Sequence, residues 1–224
     1  NNRAYFMSGD ISVNLLYFMQ IMAFHGDLLA AYNISEKELY DLVDAGEWTL
    51  DRLLEITSDI SQADSDGKWT EGAFYGVSCV DGNMLDSFYI TSGQKLFEIE
   101  EGHLTTSKDI TSAKTVGLYE KVYKAIYDDH IISYGANAGV TNYMFKNNKS
   151  VFGVMTVYNL KGIVDDAKDV GLLPFPKYIE DERYRTLLGS PHTQYFIPFD
   201  ANKVDESAAV METMAYASNL FVTP

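Results

Sequence analysis

The sequence predicts an α/β domain in which helices pack on a sheet that is at least partly parallel. Two nearly continuous apolar runs, Val13–Phe24 and Val151–Val157, are typical of strands that are buried on both faces. Segments with helical spacing alternate with strand-like segments, which is the pattern of layered α/β folds. No internal repeat and no Pro-, Gly- or Ser-rich linker divides the 224 residues, so we expect one domain over residues 1–224.

Capping signals define the helices of the N-terminal half. Ser35, with Glu38 three residues later, forms a capping-box pattern, and Gly46 ends the helix that this pattern begins. Thr49 is the predicted cap of the next helix. Further predicted elements are a helical turn at Leu28–Tyr32, a strand at Tyr75–Val80, a helix at Met84–Phe97, a hairpin at Glu98–Thr106 and a helix at Ser112–Tyr127. The apolar face predicted for this last helix consists of Val116, Tyr119, Val122, Tyr123 and Ile126.

The C-terminal half continues the alternation of helices and strands. Pro174 and Pro176 confine a strand at Gly171–Phe175 to an edge or an end of the sheet, because proline cannot donate to the ladder. The other predicted elements are helices at Ala138–Phe145, Leu160–Ala167 and Glu206–Leu220 and a strand at Thr193–Phe199.

The composition excludes several classes of partner. The chain has 17 basic and 32 acidic residues, for a formal net charge of -15, which repels phosphate backbones and anionic lipid headgroups. We therefore expect no binding to nucleic acid or to a membrane surface. No apolar run reaches the roughly 20 residues that span a bilayer. The one cysteine, Cys79, excludes an intramolecular disulfide and is compatible with either an exported or an internal location.

The sequence shows no constellation of catalytic or metal-binding residues. The four histidines lie far apart, without the paired spacing of a zinc site. Cys79 has no nucleophile signature around it, so we expect a small buried strand residue. Glycines are scattered rather than grouped in a phosphate-binding loop. We therefore predict no catalytic residue, no metal and no cofactor.

The segment Asp64–Trp69 partly matches a calcium-binding loop. Asp64 and Asp66 alternate and Gly67 follows, but the position of the closing bidentate glutamate is occupied by Ala73. We predict a tight turn, with calcium binding as the alternative.

Several segments, taken in order, resemble the extracellular solute-binding proteins of ATP-driven sugar importers, the group that includes maltodextrin-binding protein. The segments that carry the resemblance are Ala23–Leu29, Gly46–Leu54, Asp64–Trp69 with Phe74–Gly76, Tyr143–Phe152, Gly171–Tyr178 and Phe196–Pro198. Together they cover most of the chain. The resemblance implies a three-layer, periplasmic-binding-protein-like lobe whose mixed, partly parallel sheet is flanked by helices.

The resemblance also implies how the chain relates to a longer protein. In this family two lobes are joined by crossover strands, and residues 1–224 are expected to be mainly the second lobe, beginning near the first crossover at Ser8–Asp10. The first lobe and a signal segment would then be missing from this sequence. The implied protein is a bacterial, secreted, non-enzymatic monomer, located in the periplasm or anchored at the cell surface as a lipoprotein. Its implied partners are a mono- or oligosaccharide and the permease of an ABC transporter.

The predicted ligand-binding residues cluster around the turn after the second apolar strand, because ligands of α/β sheets bind beyond the carboxyl ends of strands. Tyr158 is predicted to stack on a sugar ring, while Thr156 and Asn159 hydrogen-bond its hydroxyls. The resemblance places Gln20 and Tyr17 close to the cleft, although at Tyr17 the family frequently has a carboxylate or polar residue. His192 is a further candidate near the expected hinge. The alternative for Tyr158, Tyr17 and His192 is a packed or solvated side chain without a ligand.

Two other functions remain open at this stage. A glycan-active hydrolase domain would need two carboxylates roughly 5–10 Å apart across a cleft. A surface or adhesion domain would have no concave pocket lined by polar and aromatic residues.

Overall fold

A computed structural model describes residues 6–9, 11–80, 83–135, 138–164, 169–189 and 193–221. The chain divides into two compact units: Gln20–Leu187 form the larger unit, and Asn1–Met19 with Leu188–Pro224 form the smaller one. In chain order the helices and strands are α1 (Val13–Tyr17), β1 (Gln20–His25), α2 (Gly26–Ala31), α3 (Glu36–Ala45), α4 (Leu50–Thr57), β2 (Tyr75–Val80), α5 (Asn83–Thr91), β3 (Phe97–Glu100), β4 (His103–Thr106), α6 (Ala113–Tyr127), β5 (Ile132–Gly135), α7 (Ala138–Lys146), β6 (Ser150–Thr156), α8 (Val157–Val164), β7 (Val170–Leu173) and α9 (Val204–Phe221), with a 3-10 helix at Lys108–Thr111.

The described residues of the larger unit form a mixed sheet with the strand order β5-β2-β6-β1-β7. β2 runs parallel to both β5 and β6. β1 runs antiparallel to β6 and to β7, so β7 points in the same direction as β6. The predicted mixed, partly parallel sheet is thereby confirmed, and β7 lies at an edge as the prolines after it require.

Helices cover both faces of this sheet. The main core cluster contains Phe24 and Phe152 from the central strands, with Trp48 and residues of α3, α4 and α6 around them. A second cluster contains Ala23 and Met155 from the same two strands, together with residues of α7 and α8. Successive strand residues point to opposite faces, so the two clusters lie on opposite sides of the sheet. This gives the predicted three layers of helix, sheet and helix.

The capping predictions are confirmed by hydrogen bonds. The Ser35 Oγ accepts from the Glu38 N–H at 3.2 Å, and the Glu38 carboxylate accepts from the Ser35 N–H at 2.7 Å. Gly46 ends α3 with φ +76°, in the left-handed region that glycine adopts most easily. The Thr49 Oγ accepts from the Arg52 N–H at 3.2 Å and begins α4.

Two strand predictions are wrong: one segment is only partly a strand, and the other does not form a strand. Val13–Phe24 is not one strand, because Val13–Tyr17 form α1 and β1 begins at Gln20. A continuous apolar run has no period, so its pattern cannot separate a helix from a buried strand. Thr193–Phe199 does not form a strand, and its described pairing is an isolated bridge between Tyr195 and Met7.

The predicted face of α6 is wrong in part, because Val122 is buried and Ile126 packs against the main core cluster as predicted, but other members of the predicted face are exposed. Thr115, Leu118, Val122 and Ala125 are buried, whereas Val116 and Tyr123 are 52% and 59% exposed. The buried face is narrow and includes a threonine and an alanine, so apolar side chains alone do not mark it. The predicted helix Met84–Phe97 ends earlier, at Thr91, and Gly93 follows it with φ +77°.

The smaller unit brings its two chain segments together through short contacts. The backbones of Met7 and Tyr195 exchange two hydrogen bonds of 2.9 and 2.8 Å, and the rings of Phe6 and Phe196 lie 5.9 Å apart, edge to face. The long helix α9 buries none of its described residues. Across the described ranges, no helix combines the length and the apolar character needed to cross a membrane.

Candidate ligand-binding site

The carboxyl ends of the parallel strands meet at one edge of the sheet. β2, β5 and β6 end there, and the helices α5, α7 and α8 follow them in the chain. The antiparallel strand β1 begins at the same edge, where Gln20 is the direct register partner of Thr156. Helix N-termini carry N–H groups without intrahelical acceptors and a partial positive charge. This edge is therefore suited to hold polar groups of a ligand.

Thr156 has a structural role at this edge. Its Oγ accepts a hydrogen bond from the Asn159 N–H at 3.2 Å, so Thr156 caps the first turn of α8. This bond fixes the position of Tyr158 and Asn159 relative to the end of β6. Gln20 is 3% exposed, with its backbone held on the other side by Thr186 and Leu187.

Tyr158 and Asn159 line a cavity of about 690 Å³ between α7 and α8. Tyr158 is 58% exposed, and Tyr143 on α7 is 52% exposed. The other polar residues around the cavity are Asn142, Lys146, Asn147 and Lys161. The cavity thus combines two accessible aromatic rings with amide and ammonium groups. These are the two kinds of group that recognise a sugar or another polar solute.

Asn142 supplies an unpaired acceptor in the wall of this cavity. Its side-chain Oδ1 is buried and has no hydrogen-bond partner among the described residues. Leaving a buried carbonyl oxygen unpaired costs roughly 1–3 kcal/mol. This oxygen is not accessible in the structure, so the Asn142 side chain would have to rotate before a ligand hydroxyl or a water molecule could donate to it.

The structure brings together some of the predicted site residues and separates others. Tyr158 and Asn159 line one cavity, and Gln20 and Thr156 are neighbours across two strands. Tyr17 lies in α1, within the smaller unit. His192 lies outside the described residues.

Sequence reasoning missed the α7 side of the cavity. Asn142, Tyr143, Lys146 and Asn147 follow the spacing i, i+1, i+4 and i+5, which places them on one side of a helix. The spacing itself was visible in the sequence. A polar stripe of this kind is usually solvated, however, and only the neighbouring helix α8 makes it one wall of a cavity.

Asp64 forms the predicted tight turn. One of its carboxylate oxygens accepts from the N–H groups of Asp66 and Lys68 at 3.0 and 2.8 Å, and the other accepts from the Thr70 hydroxyl at 2.6 Å. These hydrogen bonds, the one from Thr70 above all, lower the pKa of the Asp64 carboxyl. In the described part of the chain, no three His, Cys, Asp or Glu side chains are grouped so that they could hold a metal ion.

Among the comparisons with known proteins, only the structural comparison found similar proteins, and it supports the fold. No protein-family profile matches the sequence, and no curated protein matches it. UspC of M. tuberculosis is similar with a TM-score of 0.60 and 15% identity, over 92% of this chain and 53% of that one. The maltose/maltodextrin-binding domain MalE from Bdellovibrio bacteriovorus, bound to maltotriose, has a TM-score of 0.56 and 15% identity, over 90% and 48%. This chain has the fold of a solute-binding protein.

A further similar structure is an ABC transporter solute-binding protein from Thermotoga lettingae bound with α-D-tagatose. It has a TM-score of 0.56 and 12% identity, over 89% of this chain and 49% of that one. The chain therefore spans about half the length of the solute-binding proteins that it matches. The fold class predicted from the sequence, a periplasmic-binding-protein-like lobe, is confirmed.

Proposed function

We propose that this chain belongs to the substrate-binding component of an ATP-driven importer, which captures a carbohydrate or a related small solute outside the membrane and delivers it to a permease. The observation that carries the proposal is the cavity between α7 and α8, where the exposed rings of Tyr143 and Tyr158 accompany asparagine and lysine side chains. Two proteins of the same fold are bound to sugars, namely maltotriose and tagatose.

The chemistry of the cavity fits a sugar in two ways. A pyranose ring has an apolar face formed by C–H groups, which packs well on the face of a tyrosine ring such as that of Tyr158. Its hydroxyls require directed donors and acceptors, which Asn142, Asn159 and the two lysines supply. Thr156 contributes by holding the first turn of α8 in place, and Gln20 packs beside Thr156 at the start of β1.

In this proposal residues 1–224 are mainly the second lobe of a two-lobed, monomeric protein. The chain covers about half of each similar structure, so a further lobe would complete the binding cleft and close over the ligand. Tyr17 and His192 remain proposed ligand-binding residues of the whole protein. The protein would reside in the periplasm or be anchored at the cell surface as a lipoprotein.

A binding role is favoured over glycan hydrolysis by the residues of the cavity. A hydrolase needs a pair of carboxylates that flank the scissile bond. No aspartate or glutamate is present among the described residues that line the α7–α8 cavity. The cavity therefore has no carboxylate pair of the kind that glycoside hydrolysis requires. An adhesion domain is disfavoured by the presence of the cavity itself.

The proposal is tested with the full-length protein that contains this chain, by calorimetry and thermal unfolding against a panel of mono- and oligosaccharides. We expect at least one sugar to raise the melting temperature without being consumed, since a ligand that binds the native state stabilises it. Release of a cleaved product would instead establish an enzyme, and a panel without any stabilising sugar would contradict the carbohydrate ligand.

Two variants locate the site. Tyr158→Ala is expected to weaken sugar binding by about tenfold, because the stacking surface is lost. Tyr216→Ala removes a ring on α9 that is 66% exposed and is expected to leave binding unchanged. Equal affinity in the Tyr158→Ala variant and the parent protein would exclude the α7–α8 cavity as the sugar site.

A further inference from the structure

A second pocket lies beside the edge strand β5, outside the site described above. It has a volume of about 400 Å³ and lies within the larger unit. Aromatic side chains from four parts of the chain line it: Trp69 from the loop before β2, Tyr75 at the start of β2, Tyr127 at the end of α6, and Tyr134 in β5. Pockets of this size accept a small molecule.

The rings of this pocket are held in place before any ligand binds. Trp69 stacks on His130, with ring centroids 4.5 Å apart and planes inclined by 20°, and its ring lies 5.7 Å from that of Tyr75. Tyr75 is 6% exposed, and its hydroxyl donates to the Thr70 carbonyl at 3.4 Å. His130 has φ +52°, a backbone conformation that is uncommon for residues other than glycine. Trp69 is still 38% exposed, so part of its ring remains accessible.

The polar groups of the pocket are mostly engaged with the protein. The Thr70 hydroxyl donates to Asp64 and accepts from the Gly72 N–H at 3.1 Å. The Ser133 hydroxyl donates to the Met144 sulfur at 3.2 Å. A sugar needs several directed hydrogen bonds, and these hydroxyls already make theirs within the chain. The groups that remain for recognition include ring faces, apolar side chains, the Tyr127 hydroxyl, the His130 imidazole and the carboxylate of Glu71.

The electrostatics of the pocket favour a cation. Glu71 is the charged residue of the lining, and none of the described lining residues is lysine or arginine. Burial, and to a smaller extent the charge of Asp64, raise the pKa of the Tyr75 hydroxyl. Lys124 is paired with Asp129 at 2.5 Å, and Lys149 donates to the Gly72 carbonyl at 3.2 Å. The whole chain carries a formal charge of -15, which attracts cations.

We propose that the pocket beside β5 binds a small organic cation of the quaternary or alkylated ammonium class. The negative faces of Trp69, Tyr127 and neighbouring rings attract the positive charge, since cation–π attraction is strongest with tryptophan. Ile126, Ile132 and Val140 form apolar walls that suit the methyl groups of such a cation. Glu71 adds an ionic interaction at the same pocket. This site is independent of the sugar site proposed between α7 and α8.

The test uses the intact chain, with choline and tetramethylammonium as probes and 3,3-dimethylbutanol as the uncharged isostere of choline. Binding is followed by calorimetry and by tryptophan fluorescence at constant ionic strength. We expect saturable binding of both cations and an affinity for the isostere at least about fivefold weaker, because only the charged probes gain cation–π attraction. Equal affinity for choline and the isostere, or no saturable binding of either cation, would overturn the proposal.

Variants link the binding to the pocket. Trp69→Ala is expected to abolish choline binding, and Trp69→Phe to retain an intermediate affinity because a weaker ring replaces tryptophan. Glu71→Gln, at an exposed position where folding is not at risk, is expected to weaken binding about threefold. Glu212→Gln, an equally exposed glutamate on α9, is the matched control and should leave choline affinity unchanged. Choline binding that survives in both Trp69 variants at full strength, or that glucose displaces, would contradict the assignment.

Discussion

Gly171 illustrates how one residue without a side chain determines the packing of the sheet. It is the register partner of Phe24 across β1 and β7, and a Cβ atom at this position would overlap the Phe24 ring. Phe24 is fully buried in the main core cluster, so the ring cannot move aside without disturbing its neighbours. Glycine at this position is therefore a packing requirement, independent of backbone flexibility.

The first prediction compares Gly171→Ala with Gly162→Ala. We expect Gly171→Ala to lower the free energy of unfolding by about 2–3 kcal/mol, which is the usual cost of overpacking a core. At Gly162 in α8 an added Cβ would meet nothing within 4 Å, and alanine should raise the unfolding free energy by about 0.5–1 kcal/mol through helix propensity. Urea unfolding measures the change in unfolding free energy for each of the two variants. Equal effects of the two substitutions would show that the close approach of Phe24 does not matter.

His25 is the buried titratable residue whose contacts predict a pH effect. Its ring stacks on Phe145 at 4.0 Å, and its Nε2 lies 2.8 Å from the Phe145 carbonyl oxygen, to which it donates. Burial lowers the pKa of His25 below the ordinary value of 6.5, against the opposing effects of that hydrogen bond and of Asp169 and Asp27. The folded state therefore favours the neutral ring.

The second prediction follows from the sign of this shift. The unfolded chain binds the His25 proton first, so the unfolding free energy is at its full value above about pH 6.5 and falls as the pH is lowered below it. We expect the His25→Asn variant to lose this part of the pH dependence in urea unfolding between about pH 7.5 and 5.5. His103→Asn, at an exposed position, is the control and should keep the pH dependence that is due to His25. The pKa of Glu36 is raised by its hydrogen bond with Asp169, so its contribution to the unfolding free energy falls as the pH rises. Glu36 is present in both variants, and its contribution cancels when the two pH profiles are compared.

At the scale of single elements, local capping signals correctly predicted where α3 begins and ends and where α4 begins, whereas the predicted end of α5 was wrong. The hydrogen bonds that begin α3 and α4 join residues three positions apart, and Gly46 acts on the turn just before it. Such interactions depend on the local chain alone. The face that a helix buries depends on its neighbours, and for this reason the face predicted for α6 was only partly correct.

The third prediction tests the corrected face of α6. Val122 is 1% exposed and lies in the main core cluster, whereas Val116 is 52% exposed. We expect Val122→Ala to lower the unfolding free energy by about 1.5–2 kcal/mol, from lost burial and the cavity left behind. Val116→Ala should change it by less than about 0.5 kcal/mol. Because the sequence-based interpretation placed both valines on one buried face, comparable losses in urea unfolding would favour that interpretation.

At the scale of the whole molecule, the buried core of the described residues belongs to the larger unit. All three hydrophobic clusters consist of residues between Ile21 and Tyr184. Both ends of this unit are joined by backbone pairing, since the Gln20 N–H donates to the Leu187 carbonyl at 3.0 Å. The unit thus contains a complete sheet with helices on both faces.

The fourth prediction is that Gln20–Leu187 fold as an independent domain. Expressed alone, this segment should show a helical and strand circular-dichroism signal and a cooperative urea transition, because a domain with its own core satisfies the conditions for independent folding. The full chain measured under the same conditions is the reference. A segment that shows no cooperative transition would demonstrate that the smaller unit is required for the core to form.

The candidate site was predictable in part. Tyr158 and Asn159 were found from the sequence because they follow a buried strand directly, and the general rule for α/β sheets directs attention to that position. Asn142 and Tyr143 were not found, since they line the same cavity as Tyr158 only because α7 packs beside α8. Lys161 follows Tyr158 by three residues on α8 and was also not predicted. The aromatic pocket around Trp69 also joins residues far apart in the chain, from the loop before β2 to strand β5.

The sequence by itself determined the α/β class, the caps of α3 and α4 and the central strand β6, because these depend on composition, on periodicity and on contacts between near neighbours. The resemblance to solute-binding proteins came from the order of several segments along the chain. Only the tertiary structure decided the strand order, the buried face of α6 and the walls of both pockets. These features depend on residues that are distant in sequence, such as Gln20 beside Thr156 or Trp69 on His130. The packing of the whole core decides which distant residues come into contact, and a local sequence pattern does not contain this information.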